Sequence, residues 1–475
     1  MSSTQTRPPQ GGFDRFFAIT RRGSTVGREI RGGVATFFTM AYIVVLNPLI
    51  IGTAPDVHHN ILHIGPVAAV TTLVAAVLTL LMGLVGNFPL AIAAGLGLNA
   101  FLASTLAPQM SWADAMGLVV IEGLVIMVLV LTGFRTAIFR AVPAPLKSAI
   151  AVGIGLFIAL VGLVDGGIVH RIPDAAKTTV PVQLGATGNL AGWPTVVFIV
   201  GLAIAIVLIV LRVRGAILIS IVAATVVALI VQAAFHPTTW SLVTPGVPHT
   251  LVSLPDLHLL GHFSLLGSWQ HVGAIAAVLF AFTLILADFF DAMGTIVGIG
   301  AEAELLDEHG DPPHIGRIFF VDGLAAAAGG AASASSNTGY VESAAGVGEG
   351  ARTGLASVVT AILFAIAMFF TPLVQIVPFE AATPALVVVG FLMATQIRRI
   401  DFTDYSIAIP AFLTIVLMPF TYSITNGIGA GFVSYVLIKV CQRQARLVHP
   451  LMWLVALLFL VYFAISPIKE LLHLG

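Results

Sequence analysis

Cysteine is nearly missing from this chain. Cys441 stands alone among 475 residues, so no intrachain disulfide can form and no cysteine-built metal cluster can be assembled. Charge is scarce as well: 9% of residues are Asp, Glu, Lys or Arg, where soluble domains carry roughly 25%. With 21 basic and 22 acidic residues the net charge is -1. No concentrated basic surface is available for phosphate, which excludes nucleic acid as a partner. The N-terminal stretch MSSTQTRPPQGGFDRFF has neither the apolar core nor the small-residue cleavage site of a cleaved signal. Residues 1–27 therefore read as a solvated, disordered cytoplasmic tail.

What fills the chain instead is hydrophobic sequence, 58% of all residues, in windows near the ~20 residues a helix needs to cross a bilayer. The expected class is an all-α polytopic membrane protein. Windows fall at about 31–51, 66–86, 88–107, 113–133, 148–167, 193–211 and 215–235, then 272–298, 316–332, 334–350, 353–372, 383–397, 405–422 and 425–441. A further apolar run, 447–465, contains Pro450 and can either span or lie along the surface. Fourteen spans plus this run is the count.

Lys and Arg in short loops favour the cytoplasm. Arg21, Arg22, Arg28 and Arg31 precede the first span, which sets the N-terminus inside. Arg135, Arg140 and Lys147, then Arg212 and Arg214, Arg398 and Arg399, and Lys439, Arg443 and Arg446 all fall inside on the same count. The 165–192 loop is the exception, with Arg171 and Lys177 outside beside Asp165 and Asp174. Segment 236–270 has neither Lys nor Arg and is expected outside. It divides the chain into repeats 28–235 and 271–442, followed by a C-terminal segment 443–475. Seven spans per half is an odd number, so the second half is inverted, a transporter signature.

The third span of each half is the abnormal one. NFPLAIAAGLGLNAFLAS carries Pro89, Gly95 and Gly97, and GGAASASSNTGYVESAAGVGEG is broken at Asn337, Thr338 and Gly339. Glycine disfavours a continuous helix by ~1 kcal/mol relative to Ala, and paired broken segments point to a binding site at the midplane. The small residues of 324–335 also suit tight helix packing, a reading that leaves Glu342 unexplained. Asn99 and Glu342 follow the two breaks, near half-helix N-termini where free N–H groups suit an anionic or carbonyl-bearing ligand.

Acids inside apolar sequence are functional-site candidates, because a charge at the bilayer centre costs at least ~2.5–3.5 kcal/mol. Asp288, Asp291 and Thr295 follow i, i+3 and i+7, on neighbouring parts of one helix face. Asp288 alone is equally explained as an interhelical hydrogen bond, and Glu122 as a satisfied interhelical contact. Glu302, Glu304, Asp307, Glu308 and Asp311 form a solvated acidic loop, and His58, His59 and His63 cluster between the first two spans. Carboxylates accept N–H groups, while an Asn amide both donates and accepts. That set suits a ligand whose edge carries N–H donors beside acceptors, and Phe289, Phe290 or Tyr340 can stack on a flat ring.

Four stretches carry a resemblance: FFTMAYIVVLNP (37–48), NFPLAIAAGLGLNAF (87–101), DFFDAMGTIVG (288–298) and SSNTGYVESAAGV (335–347). In this order they resemble the signatures of AzgA-type purine permeases, a branch of the nucleobase-ascorbate transporter family, over nearly the whole chain. The resemblance implies two inverted seven-span repeats forming a core (spans 1–4 and 8–11) and a gate (spans 5–7 and 12–14), with short extended stretches in the third and tenth spans. It implies Asp291 and Glu342 as ligands of the base, Asn99 and Gly97 beside them, and Thr295 and Tyr340 lining the site. Ala94 and Gly339 depart from residues usual in the branch, Pro and Thr respectively.

The expected function is proton-coupled uptake of hypoxanthine, guanine or adenine across the cytoplasmic membrane by alternating access, without a cofactor and without enzymatic chemistry. Asp291, Glu342 and Asp288 are the candidate proton carriers, since like charges sharing a dry site favour exchange of a proton. A homodimer is what the resemblance suggests. Two alternatives remain: a carrier of another base or a small anion on the same fold, or an intramembrane Mg-dependent transferase using Asp288-Phe-Phe-Asp291.

Overall fold

The computed structural model describes residues 11–132, 142–172, 182–241, 243–248, 250–307 and 311–464, the Phe290 side chain apart. Arg135, Arg140, Asp174, Lys177, Glu308, the first ten residues and 465–475 lie outside this set.

The first half begins with α1 (Gly12–Phe17), α2 (Val26–Met40), α3 (Ile43–Thr53) and α4 (Ile64–Leu81), the last loosening into a π-turn, Met82–Gly86. Strand β1 (Ile92–Ala94), α5 (Leu96–Phe101) and α6 (Trp112–Leu131) follow. Next come α7 (Ala144–Asp165), a hairpin β2 (Val169–Arg171) and β3 (Val182–Leu184), α8 (Trp193–Val210) and α9 (Ala216–Phe235). The second half holds α10 (Gly267–Val272), α11 (Ala274–Glu302), α12 (Ile315–Ala331), β4 (Asn337–Gly339) and α13 (Ser343–Gly348). It ends with α14 (Gly354–Ala367), α15 (Thr371–Val374), α16 (Phe379–Ala382), α17 (Pro384–Ala394), α18 (Tyr405–Phe420), α19 (Ile424–Cys441) and α20 (Pro450–Phe463).

Among the described residues ten helical runs are long and apolar enough to cross a membrane. The first, Val26–Thr53, is bent at Ala41 and Tyr42, where α2 ends and α3 begins. Helix starts are capped as their sequences dictate: Thr25, Ser111, Thr353, Asp404 and Ser423 each accept a backbone N–H in the first turn that follows. Such caps satisfy donors that the helix itself leaves free. Helix α18 has 16 residues and α20 has 14, the latter reaching only ~21 Å at 1.5 Å per residue.

Packing separates two bodies. One joins α2, α4, α6, α11, α12, α13 and α14; the other joins α7, α8, α9, α17, α18, α19 and α20. This is the core and gate division, with α5, α11 and α2 touching α7 and α9 across the seam. The two β-strands at the core's centre are antiparallel partners, pairing Ile92 with Gly339, Ala93 with Thr338 and Ala94 with Asn337. The β2–β3 hairpin inside 165–192 was not foreseen in the sequence.

Candidate functional site

A two-stranded sheet at membrane depth has exposed edges, and backbone groups cannot be left unpaired in hydrocarbon. Here the neighbouring helices complete it. The Thr79 hydroxyl of α4 lies 2.9 Å from the Ile92 N–H and 3.0 Å from its carbonyl oxygen, serving both. Ser343 Oγ accepts from Ala91 N at 3.0 Å, and Ser357 Oγ donates toward the Phe88 and Leu90 carbonyls at 2.7 and 3.0 Å. On the far edge Asp322 Oδ1 accepts from Gly339 N at 3.2 Å. Asn47 Nδ2 donates to the Ala334 carbonyl at 3.2 Å and to Thr71 Oγ1 at 2.7 Å. The polar residues scattered through the apolar core thus stand in for missing strands.

This sheet fixes the starts of α5 and α13. Asn99, in the first turn of α5, is fully buried, and neither its amide oxygen nor its nitrogen has a hydrogen-bond partner. Buried polar groups without partners are uncommon and call for an explanation; a ligand supplying both a donor and an acceptor would satisfy this one. Glu342 stands at the N-cap of α13, half-buried, and Tyr42 donates its phenol O–H to Glu342 Oε1. Helix α13 has only six residues, and the polar partner of this carboxylate is the Tyr42 hydroxyl.

Asp291 lies inside the 29-residue α11, yet its side chain is exposed. It interacts electrostatically with Glu342 and Tyr42. A carboxylate at that depth cannot face lipid cheaply, so the open face of α11 that carries Asp291 is the candidate vestibule. The vestibule wall continues from Asp291 toward the C-terminal end of α11 along Gly294, Gly298, Ala301 and Glu302, all exposed. A Cβ at Gly294, Gly298 or Gly348 would meet nothing within 4 Å. Val341, next to Glu342 in sequence, is 61% exposed. Arg214, in the α8–α9 turn of the gate, forms an ion pair with Glu349 at the end of α13 in the core.

The remaining sequence-derived candidates divide. Thr295 is buried one turn below Asp291. Tyr340 donates its hydroxyl to the Ala94 carbonyl, so its polar end braces the sheet, and its ring lies 6.5 Å from that of Tyr42. A Cβ on Gly97 would come within 2.6 Å of Ile154 Cγ2; this glycine allows α5 to approach the gate helix α7. Gly339 is required in the same way by Leu90, whose Cδ2 would be 2.9 Å from an added Cβ.

Asp288 is fully buried where Asp291 is exposed; it lies beside Thr338, in electrostatic contact with Asp291, Glu122 and Asp322. Glu122 accepts from Ser336 Oγ at 3.1 Å. The contact of Tyr42 with Glu342 was not foreseen from the sequence, although Tyr42 lies inside the first recognisable stretch, next to the bend in span one. The His58–His63 loop is organised instead by Asp56, whose Oδ1 accepts the N–H of His58 and of Asn60 at 2.8 and 2.9 Å.

A membrane protein in which two broken spans pair at the centre of a core body, beside an open vestibule, has the architecture of a transporter. The chain belongs to the Permease family, whose model (Xan_ur_permease) matches residues 27–429. It is 36% identical over 457 residues to the guanine/hypoxanthine permease PbuG of Bacillus subtilis (strain 168), covering 94% of this chain and 98% of that one. To the adenine permease AdeP of Escherichia coli (strain K12) it is 35% identical over 465 residues, 97% of each chain. In fold it resembles the transmembrane domain of the cyanobacterial bicarbonate transporter BicA, with a TM-score of 0.60 at 15% identity over 85% of this chain and 97% of that one.

Proposed function

We propose that this permease moves purine nucleobases across the cytoplasmic membrane, coupled to protons, by alternating access of the core against the gate. The observation that carries the reading is the pairing of the two broken segments, with an exposed Asp291 and Glu342 in electrostatic contact and a fully buried, unpaired Asn99 amide on α5. Purine edges present N–H donors next to ring acceptors, which two carboxylates and an amide can meet. The permeases of similar length and sequence are named for guanine, hypoxanthine and adenine.

Lys and Arg distribution puts the N-terminus and the Glu302 end of α11 in the cytoplasm. On that orientation the vestibule is open inward, and the bound base would be released there during uptake. Asp291, reachable by water from that side, is the proton carrier in this scheme, and Glu342 anchors the base.

An anion carrier of this fold is the main rival. Two carboxylates at the vestibule disfavour it, since like charges repel an anionic cargo. The transferase rival needs several carboxylates to converge on one metal, whereas Asp288 is fully buried and Asp291 lies on the exposed face of α11.

The test is uptake of [³H]hypoxanthine into proteoliposomes with adenine, guanine, xanthine and uracil as competitors. Purines should compete and uracil should not; equal competition by uracil would refute the substrate class. Glu342→Gln should abolish binding, because it turns one acceptor oxygen into a donor facing N–H groups. Asp291→Asn should still exchange substrate but fail to concentrate it against a proton gradient. Wild-type accumulation by Asp291→Asn would transfer the proton role to another acid.

A further inference from the structure

The assignment of Glu342 as anchor leaves open what holds its carboxylate in place, since the side chain makes no cap contact with α13. The bend in span one supplies an answer. Tyr42, 1% exposed, directs its hydroxyl onto Glu342 Oε1, and Thr39, one turn earlier, has its Oγ1 3.3 Å from the Glu342 carbonyl oxygen. The Thr39 hydroxyl has nearer acceptors in the Ala35 and Thr36 carbonyls, at 3.0 and 2.9 Å, so the hold of this break on residue 342 is the phenol's contact with its carboxylate.

The ring has no freedom to leave. It packs beside Tyr340, whose own hydroxyl is committed to the Ala94 carbonyl. Tyr340 therefore cannot take over the contact with Glu342. A phenol has one hydrogen to donate; once it is given to Oε1, only Oε2 keeps its full acceptor capacity toward the vestibule. We infer that Tyr42 is a positioning residue for the permease reaction: it orients Glu342 so that one defined carboxylate oxygen faces the substrate's N–H groups.

This rests on the reading of Glu342 as a ligand of the base, and the experiment separates the two. Tyr42→Phe removes one oxygen and keeps the ring, so the packing with Tyr340 survives. Hydrogen bonds to charged groups are the strong class, so loss of orientation should raise KM for hypoxanthine about ten- to a hundred-fold. Vmax should stay within about three-fold, because the mobile body and its seam are untouched. Glu342→Asp shortens the carboxyl away from the phenol, and adding Tyr42→Phe to it should cost nothing further in equilibrium [³H]hypoxanthine binding; that non-additivity is the signature of a shared contact. Tyr42→Leu, which also loses the ring, should cost thermal stability as well and so marks the packing contribution.

If Tyr42→Phe binds like wild type while Glu342→Gln loses binding, the positioning role is refuted and the anchor stands. A drop in Vmax at unchanged KM also refutes it, since that is the mark of a structural contact. Wild-type binding by Glu342→Gln overturns both.

Discussion

Gly97 offers a way to shift the transport cycle by a single methyl group. In this conformation α5 of the core approaches α7 of the gate so closely that a Cβ at residue 97 would lie 2.6 Å from Ile154 Cγ2, with Ile158 Cδ1 next at 3.7 Å. The first separation is far inside contact distance and the second is ordinary. Overpacking of this kind costs about 1–3 kcal/mol. The cost falls only on conformations that bring these two helices together, so Gly97→Ala should move the equilibrium away from the open-vestibule state by roughly 5- to 150-fold. Gly298→Cys, in a Cys441→Ser background, reports that state, because the position faces open space. Its labelling by a water-soluble maleimide in detergent should slow in Gly97→Ala by up to that factor. Ile154→Ala removes the clashing Cγ2 and should restore the rate, leaving only the 3.7 Å neighbour. Unchanged labelling in Gly97→Ala, or failure of Ile154→Ala to restore it, would sink the argument that this seam opens and closes.

Three further outcomes follow from geometry. Thr79→Val strips the partner from both backbone groups of Ile92 and should cost about 2–6 kcal/mol at ~1–3 per unsatisfied group, whereas Thr79→Ser should be nearly neutral. Interhelical side-chain bonds in membranes average only ~0.6 kcal/mol, so a loss of that size in mixed-micelle unfolding would show that the sheet finds other partners. The Arg214–Glu349 pair has an arginine 62% exposed, and such pairs contribute about 0–1 kcal/mol. Arg214→Ala should therefore slow Gly298→Cys labelling by less than about 5-fold, and the difference should vanish near 1 M salt, where the screening length falls to about 3 Å. Burial alone would raise the Asp56 carboxyl, but the N–H groups of Asn60, His58 and Trp112 outweigh it and hold it below the usual range. A depressed folded value contributes stability above the unfolded pKa of about 3.9, lost as pH falls through the folded value. Proteolysis of the 54–63 loop should accelerate at acid pH, and Asp56→Asn should show that faster cleavage at neutral pH.

The sequence disclosed the breaks because they violate its own habit. In a chain of long apolar runs, Pro89, Gly95 and Gly97, and again Asn337, Thr338 and Gly339, interrupt helices that everything around them favours. The acids were legible for the same reason: carboxylates at bilayer depth are too costly to be incidental. Pairing of β1 with β4 could not be read, since three-residue strands carry no alternation and their partners lie in opposite halves. Neither could the separation of Asp288 from Asp291. At 3.6 residues per turn the two side chains point only about 60° apart, and which one meets water depends on where the sheet and the gate sit. Tyr42 stayed hidden among abundant aromatics, since only its neighbours single it out. Gly97 is expected beside the two acids, and its close approach to Ile154 is a further feature that spacing could not show.

The sheet at the centre also sets a timetable for making the protein. Ala94 and Tyr340, joined by a hydrogen bond across the finished core, are 246 residues apart in the chain. At roughly 5–20 residues per second of synthesis, β1 waits on the order of 10–50 seconds for its partner strand. During that interval Thr79 can already serve Ile92 from the same repeat, but Ser343, Ser357, Asp322 and Tyr340 do not yet exist. The third segment must therefore pass through biogenesis as an incomplete element, sheltered at the insertion machinery or by spans already made. A nascent chain arrested before residue 337 should keep this segment open to protease or to lipid-phase crosslinking, and one arrested after α14 should protect it.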